Sequence, residues 1–389
     1  MKVLIAAGSF KDVFTTTEAC KMISDMLQPY HDVKILPVCD GGEYTLETLS
    51  LFWGSQASCH IVDDIVNPYG KRIKASYISV ENTAYIVSSE VLHLSLEEDA
   101  YKNPLQLTDY GLGQLVSDAI DQGFKDIRLC LGGTSTVGFG FGTAQALGAV
   151  FLDKDENEIP APVMPEKYCD ICTVKWPEKR SGIKLSVIND GITKASDLNV
   201  VNPLKIGKAF SADKQGILSG IDRAMEAVFR LTGYTAEDDW SGNAGGIYYG
   251  INKLFDAGYY KGADYFCELF GLNALISESD IVITGEGRFD NPHLKKIPVV
   301  VSEYALRKHK PVIFVCGQLA EEWKLSSFSE KEGVYHSSKL EQQYGIHTVL
   351  SCDDYYVSQN MSDKCDTGTY KKYTPIILKE RFKQIGVIS

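Results

Sequence analysis

"MKVLIAAGSFK" at residues 1–11 and "DIVITGEGRFD" at residues 280–290 share one pattern. In each, a short β-rich apolar run of the length of a buried parallel strand is followed by glycine and charged or hydroxyl residues. Thr15 and Glu18 have the spacing of a capping box and predict a helix after the first strand. A further strand at 33–38 runs into Asp40-Gly41-Gly42-Glu43. The order strand, helix, strand predicts a βαβ unit in a parallel sheet.

The sequence pattern changes after residue 56 and returns near residue 280. Asn67-Pro68-Tyr69-Gly70 is a turn signal, and 75–80 and 83–87 have the pattern of antiparallel strands. Strand–loop–helix segments resume after residue 280. We therefore predict an α/β fold with two α/β domains. Residues 1–75 and 280–389 form a parallel-sheet domain, and residues 76–279 form a second domain inserted into it, with an active site expected in the cleft between them.

Composition and charge exclude several classes of protein. The 389 residues are 44% hydrophobic and 23% charged, as in soluble globular proteins. No apolar run reaches the roughly 18 residues of a membrane-spanning helix, and the first run is too short for a signal peptide, so we expect a cytoplasmic protein. The net charge of 39 − 51 = −12 disfavours nucleic acids and anionic membranes as partners. The oligomeric state is left open.

Four predicted strand-terminal loops combine glycine with charged or hydroxyl residues, namely 8–11, 40–43, 132–142 and 284–290. Glycine lets backbone N–H groups approach an anion, and lysine or arginine adds charge. Carboxylates bind Mg²⁺ or accept a proton from a substrate hydroxyl group. This combination is typical of phosphoryl-transfer enzymes, although a single loop of this kind is more often just a tight turn. The sequence contains no P-loop motif. It also lacks the dinucleotide-binding fingerprint, and this disfavours a nicotinamide-dependent enzyme.

Several motifs in chain order resemble the bacterial glycerate kinase family of the glycerate 2-kinase type. The most specific is Ile283-Thr284-Gly285-Glu286-Gly287-Arg288-Phe289-Asp290, which matches the family's Ile-Thr-Gly-Glu-Gly-Arg-x-Asp. The other matches are Ser9-Phe10-Lys11, Asp40-Gly41-Gly42-Glu43, Asn103-Pro104-Leu105, Tyr110-Gly111-Leu112-Gly113, the 132–136 loop and Ala244-Gly245-Gly246. The resemblance implies a flavodoxin-like first domain split by the second. It also implies transfer of a phosphoryl group from ATP, with Mg²⁺, to the 2-hydroxyl group of glycerate or a similar hydroxy acid.

On this resemblance we assign roles to thirteen residues. Asp40 or Asp290 is the expected base, with Lys11 as a further catalytic residue that contacts the anion. Arg288, Ser9 and Lys296 are expected to bind the substrate. Glu286 and Asp190 are expected to bind Mg²⁺, although Asp190 is also explained as a turn-forming residue. The backbone amides of Gly132, Gly133, Thr134, Gly245 and Gly246 are expected to hold phosphate or carboxylate groups.

The sequence departs from the family pattern at polar positions. Val137-Gly138 replaces Asn-Asp, and Phe139 and Phe141 stand among the small residues that follow. We expect these phenylalanines to narrow a phosphate-binding loop. The family's Cys-Asp-Val-Asp-Asn-Pro-Leu matches either at Asp190 or at Asn202-Pro203-Leu204. These departures support an alternative function, namely a catalytically impaired paralogue that binds a metabolite or has a regulatory role.

Overall fold

The structure is a computed structural model that describes residues 1–10, 13–93, 103–134, 136–196, 214–290, 296–358 and 366–389. Its strands are β1 Lys2–Ile5, β2 Asp32–Ile35, β3 Ala57–Val66, β4 Arg72–Val80, β5 Thr83–Val87, β6 Asp126–Leu131, β7 Val150–Leu152, β8 Thr173–Lys175, β9 Lys184–Asn189, β10 Gly258–Lys261, β11 Ile281–Phe289, β12 Val312–Leu319, β13 Phe328–Lys331, β14 Val334–His336 and β15 Ile346–Ser351. Its α-helices are Thr16–Leu27, Thr45–Trp53, Ser89–Leu92, Tyr110–Asp121, Phe141–Ala146, Lys214–Thr232, Tyr248–Leu254, Gly262–Leu269, Leu272–Glu278, Ile297–Arg307, Glu321–Leu325, Ser338–Tyr344, Asp353–Ser358 and Thr367–Gln384. None of the helices in these ranges is long and apolar enough to cross a membrane.

The chain forms two compact units. The first unit comprises Met1–Asp40 and Ala263–Ser389, and the second unit comprises Gly41–Gly262. The boundaries between the two units thus fall after residues 40 and 262. The sequence analysis predicted domain boundaries after residue 75 and before residue 280. The first difference arises because β3 and β4 pair with each other and with β5 in the sheet of the second unit. The second arises because the helix Leu272–Glu278 belongs with β1 and β2, as the ion pair between Lys34 and Glu278 at 3.5 Å shows.

The first unit contains a seven-stranded sheet in the order β13-β14-β15-β12-β11-β1-β2. The strands from β15 to β2 are parallel to their neighbours, and β13 and β14 form an antiparallel extension. When the parallel strands are counted along the chain, their order is 2-1-3-4-5, which is the flavodoxin-like order. The prediction of a flavodoxin-like parallel sheet split by a second α/β domain is therefore confirmed.

The first helix begins where the sequence predicts. The Thr15 hydroxyl group accepts a hydrogen bond from the Glu18 N–H at 3.2 Å, and the Thr15 N–H donates to the Glu18 carboxylate at 2.9 Å. These two bonds are the capping box, and they satisfy N–H groups that the first turn leaves unpaired. Ala19, Ile23 and Leu27 are buried on one face of this helix, which packs them against the sheet.

The second unit contains a six-stranded sheet in the order β10-β9-β6-β5-β4-β3. The strands β10, β9, β6 and β5 are parallel, and β5, β4 and β3 form an antiparallel meander. The core of this unit is rich in aromatic side chains. Phe139, Phe141, Phe151, Tyr168 and Tyr249 are fully buried there.

Strand β11 is longer than the sequence predicts. We expect a strand that ends at Thr284 and a loop over 285–290, but the strand continues to Phe289. Gly285 and Gly287 lie within the strand and do not end it. A Cβ atom on Gly285 would lie 2.0 Å from the Val315 carbonyl oxygen of β12, so glycine is needed where the two strands approach most closely.

Candidate functional site

Polar residues of the first unit meet at the point where the order of its parallel strands reverses. That point lies between β1 and β11, and ligands of open α/β sheets bind at the carboxyl ends of such strands. The Gly8 N–H donates to the Gly285 carbonyl oxygen at 2.9 Å, which continues the pairing beyond the end of β1. The half-buried Ser9 follows directly, next to the segment of β11 that carries the charged residues.

The alternation of side chains along β11 explains the spacing of its charged residues. Successive residues of a strand point to opposite faces, so Glu286 and Arg288 share one face. Phe289 faces the other way into the core, where its ring lies 4.4 Å from the Phe314 ring, centroid to centroid. Asp290 follows the strand, and its carbonyl oxygen accepts a hydrogen bond of 2.7 Å from the Trp323 indole N–H. A buried apolar face thus fixes the position of the charged one.

Glu286 has the most perturbed carboxyl group of this region. Its side chain is 13% exposed, and burial raises its pKa to about 7. Lys296, whose ammonium nitrogen is 3.7 Å from the Glu286 carboxylate, lowers the pKa, whereas the charges of Asp290 and Asp40 raise it further. Asp40 and Asp290 are therefore close enough to interact with Glu286, although 250 residues separate them in sequence. We call Asp40, Glu286 and Asp290 the acid cluster.

Two cations accompany the acid cluster. Lys296 pairs with Glu286, and the Arg288 Nε atom lies 3.6 Å from the Asp290 carboxylate. The Arg288 side chain is 63% exposed, so its guanidinium group is accessible to a ligand. A carboxylate or phosphate group binds well to such a guanidinium group. The structure thus brings together Asp40, Glu286, Arg288, Asp290 and Lys296 in one unit. Lys11 lies outside the described residues.

The family resemblance implies Mg²⁺, and the carboxylates of the acid cluster are oxygen ligands of the kind that this ion prefers. Mg²⁺ prefers oxygen ligands and is usually bound by one or two carboxylates together with water and phosphate oxygens. Within the described residues, no group of three or more His, Cys, Asp or Glu side chains is arranged so that it could hold a metal ion. Glu286 is nevertheless buried beside two other carboxylates, and a cation would stabilise its charged form. The donor set therefore suits a metal that arrives with a phosphate group.

In the second unit, two polar loops pack closely against each other. A Cβ atom on Gly132 would lie 2.6 Å from the Cα atom of Gly42 and 3.2 Å from the carboxylate of Asp190. Asp190 is exposed at the end of β9. The Gly132 N–H lies 3.2 Å from the Ser88 hydroxyl oxygen, and this hydroxyl group also donates to the Gly132 carbonyl oxygen at 3.0 Å. The Gly132 amide, predicted to hold phosphate, is thus hydrogen-bonded within the protein.

The loops around Gly133 and Gly245 also require glycine for their packing. Gly133 has a φ of +65°, and a Cβ atom there would lie 2.9 Å from Glu43. A Cβ atom on Gly245 would overlap the carbonyl oxygen of Thr136, at 1.8 Å. Thr134, which follows Gly133, is half-buried. The predicted amide-bearing residues therefore lie in tight turns of the second unit.

The turn after Gly245 contacts the altered glycine loop directly. A Cβ atom on Gly246, which has a φ of +83°, would lie 2.5 Å from the Phe139 ring. The Phe139 N–H donates to the Gly245 carbonyl oxygen at 3.0 Å. Gly245 and Gly246 thus hold the 136–139 segment in place.

Sequence reasoning missed Asp109, which organises the glycine-rich loop before the helix Phe141–Ala146. The Asp109 carboxylate is fully buried and accepts hydrogen bonds from the Gly140 N–H at 2.9 Å and the Thr143 N–H at 2.6 Å. Burial raises the pKa of Asp109, whereas these hydrogen bonds lower it. A Cβ atom on Gly138 would lie 2.4 Å from this carboxylate. The N–H groups of the loop thus bind a carboxyl group supplied by the chain itself, and no local pattern around residue 109 indicates this.

The two phenylalanines of this loop do not line a phosphate-binding site. Phe139 and Phe141 are both fully buried in the core of the second unit. The Phe141 ring stacks on Phe151 at 5.2 Å and lies 5.0 Å from Tyr168. Our expectation that they narrow a phosphate loop was wrong, because both side chains are fully buried in the core of the second unit.

Comparisons with known proteins agree on one family. A sequence model of the glycerate kinase family matches residues 3–345. The chain is 28% identical over 378 residues to the glycerate kinase of Neisseria meningitidis serogroup B, a match that covers 93% of this chain and 97% of the relative. It is 28% identical over 371 residues to the glycerate 2-kinase of Escherichia coli K12, covering 90% of each chain. The crystal structure of a putative glycerate kinase 2 from Salmonella typhimurium LT2 has a TM-score of 0.67, 24% identity and coverage of 98% and 99% of the two chains.

Proposed function

The chain belongs to the glycerate kinase family, and on this premise we propose that it transfers the γ-phosphoryl group of ATP to the 2-hydroxyl group of glycerate or a closely related hydroxy acid. The enzyme class is that of a kinase-type phosphotransferase. One observation supports the chemistry most strongly: the charges of Asp40 and Asp290 both act on the buried Glu286, while Lys296 pairs with Glu286 and Arg288 pairs with Asp290. In phosphoryl transfer the protein mainly positions the groups and neutralises charge, and this set can do both.

We assign proton transfer to Asp40 or Asp290. The oxygen of the substrate 2-hydroxyl group attacks the γ-phosphorus, and the bond between that phosphorus and the β–γ bridging oxygen breaks. The hydroxyl proton passes to the carboxylate, and ADP leaves. Both residues are half-buried, and both influence Glu286, so each lies within the same charged region.

The remaining residues bind and orient the reactants. Arg288, Lys296, Ser9 and Lys11 would hold the substrate carboxylate and the transferred phosphate. Glu286 and Asp190 would bind Mg²⁺, which neutralises phosphate charge when it is bound. The backbone N–H groups around Gly133, Thr134 and Gly245 would hold phosphate groups. The N–H groups of Gly132 and Gly246, which the sequence assigns to the same role, already donate to the Ser88 hydroxyl group and the Asn243 carbonyl oxygen.

A binding-only paralogue is the weaker candidate. Such a protein needs neither a base nor two cations beside a buried carboxylate, yet the first unit retains all of them. The cytoplasmic location and the absence of nucleic-acid and membrane partners stay predictions.

The decisive test is turnover by the purified chain with ATP, Mg²⁺ and a panel of small hydroxy acids. We expect ADP formation with glycerate, and ³¹P and ¹³C NMR should place the phosphate on the 2-hydroxyl group. A double variant, Asp40→Asn with Asp290→Asn, serves as the control for contaminating kinases. Absence of turnover with every hydroxy acid would contradict the proposal, and a product phosphorylated at the 3-hydroxyl group would contradict its position.

A further inference from the structure

Gln318 is an exposed polar residue on the strand next to Arg288. In the parallel pairing of β11 with β12, Arg288 and Gln318 are paired positions, and the next pair is Phe289 with Leu319. Paired residues of neighbouring parallel strands share a face of the sheet, and the two strands lie about 4.8 Å apart. Phe289 and Leu319 are both buried, whereas Arg288 and Gln318 are both exposed. The two exposed side chains therefore stand side by side at the carboxyl ends of their strands.

Two glycines bring the strands together just before this pair. A Cβ atom on Gly317 would lie 2.8 Å from the Gly287 carbonyl oxygen, which is closer than Cβ atoms approach an oxygen in folded proteins. A larger residue at 317 would push the two strands apart. The close approach thus keeps Gln318 next to Arg288.

The residues after Gln318 fix its backbone. Leu319 lies in the same buried cluster as Phe289. The Leu319 N–H donates to the Asp353 carboxylate at 3.2 Å, and the Lys324 ammonium nitrogen lies 2.8 Å from that carboxylate. The Asp353 side chain is only 11% exposed, so this ion pair is well shielded from solvent. The end of β12 is therefore anchored on its buried side, while the side chain of Gln318 stays accessible to a ligand.

The hydrogen-bonding groups of Arg288 and Gln318 complement each other. The Nε side of the Arg288 guanidinium group faces the Asp290 carboxylate at 3.6 Å, and its two terminal nitrogens carry four further N–H donors. A carboxylate has two oxygens that can each accept more than one hydrogen bond. The Gln318 amide nitrogen carries two N–H donors and no charge. A carboxylate group bound to the terminal nitrogens of Arg288 can therefore also accept a hydrogen bond from Gln318.

We propose that Gln318 is a substrate-binding residue whose amide nitrogen donates to the carboxylate group of the hydroxy acid beside Arg288. This inference rests on the proposed function, which assigns Arg288 to the substrate, and it needs residues of the first unit alone. A hydrogen bond to a charged acceptor is about twice as strong as one between neutral groups. Gln318 thus contributes to the selection of an acid over an uncharged alcohol.

The test is titration calorimetry of the full chain with glycerate. Gln318→Leu removes the donor without a change of charge and should weaken glycerate binding by about 10-fold, the effect of one hydrogen bond to a charged group. Gln318→Glu keeps the shape of the side chain, lacks the donor and repels the substrate carboxylate, so binding should weaken by about 100-fold. Gln318→Lys supplies a charged donor and should bind glycerate at least as tightly as the wild type does.

A matched control separates a direct contact from a general effect of charge. Gln342 is exposed on the helix Ser338–Tyr344 of the same unit, and Gln342→Glu should change the glycerate affinity by less than about 2-fold. Without ligand, all four variants should unfold within about 2 °C of the wild type, because exposed side chains contribute little to stability. A fall in glycerate affinity and in Tm in all three Gln318 variants would assign Gln318 a structural role and overturn the inference.

Titration with ATP distinguishes the substrate from the nucleotide. The ATP affinity of the Gln318 variants should equal that of the wild type. Weaker ATP binding with unchanged glycerate binding would assign the amide to a phosphate group and overturn the substrate assignment. Equal glycerate affinity in the wild type, Gln318→Leu and Gln318→Glu would overturn the inference and leave the proposed function intact. A wild-type chain that neither binds nor phosphorylates a hydroxy acid would refute the proposed function itself, and the inference with it.

Discussion

Replacement of the buried carboxyl group of Glu286 by an amide tests the electrostatics of the acid cluster. In the folded protein, burial and the neighbouring acids raise the Glu286 pKa from 4.5 to about 7. At 1.36 kcal/mol per pKa unit, this difference corresponds to about 3 kcal/mol in the free energy of unfolding. The side chain is only 13% exposed, so solvent does little to reduce this value.

The sign of the effect follows from proton binding. Between about pH 4.5 and 7 the folded protein holds the Glu286 proton more tightly than the unfolded chain does, so the free energy of unfolding falls as the pH rises. The stabilisation is fully present below the unfolded pKa and is lost above about pH 7. Glu286→Gln does not titrate. Its Tm should therefore exceed that of the wild type by about 4 °C at pH 8 and by much less at pH 5.

The assay is thermal unfolding at both pH values in EDTA, since a bound cation would stabilise the charged carboxylate. Glu322→Gln, an exposed position of the same unit, is the matched control and should leave the Tm almost unchanged at both pH values. A lower Tm for Glu286→Gln at pH 8, or the same difference at both pH values, would refute the reasoning. The stabilised variant should also lose kinase activity, because the carboxylate is assigned to Mg²⁺.

Three further substitutions test the other charged positions. Asp109→Asn keeps only one acceptor oxygen, whereas the N–H groups of Gly140 and Thr143 use two. The free energy of unfolding should therefore fall by about 2–3 kcal/mol in denaturation experiments. A Tm equal to that of the wild type would contradict the role of Asp109. Asp290→Asn should lower kcat by about 10²-fold or more with little change in Tm, as steady-state kinetics and calorimetry can show, whereas full turnover would leave Asp40 as the base. Gly138→Asp restores a residue of the family pattern. It should nevertheless destabilise the protein strongly, because its Cβ atom would lie 2.4 Å from the Asp109 carboxylate. A stable variant with improved kcat/KM for glycerate would refute this prediction.

The elements that the sequence predicts well have local signals. The capping box at Thr15 and Glu18 and the first strand each depend on interactions within a few residues, and the structure contains both. The strand predicted at 33–38 is present as β2 but ends at Ile35. The flavodoxin-like order of the parallel strands was expected from the family resemblance and not from any local pattern. Local patterns thus suffice where neighbours in sequence are neighbours in space.

The end of β11 shows where local signals fail. Gly285 and Gly287 indicate a loop by composition, yet β11 remains paired with β12 to Phe289. The pairing depends on Val315 and its neighbours, which a local pattern cannot reveal. The same holds for the acid cluster, since nothing near Glu286 shows that Asp40 comes close to it. The resemblance supplied the residues of the cluster, and only the fold shows their interaction.

The loop after β6 shows that a residue that departs from the family pattern does not by itself indicate loss of activity. Val137 and Gly138 replace polar residues of that pattern, which supported the alternative of an impaired paralogue. In the structure Val137 is 3% exposed within the core, and Gly138 stands against Asp109, whose carboxylate already binds the loop amides. An additional aspartate at 138 would place two carboxylates in contact in a buried site, which is strongly unfavourable. The glycine is therefore a consequence of Asp109, and its presence carries no argument against catalysis by the acid cluster.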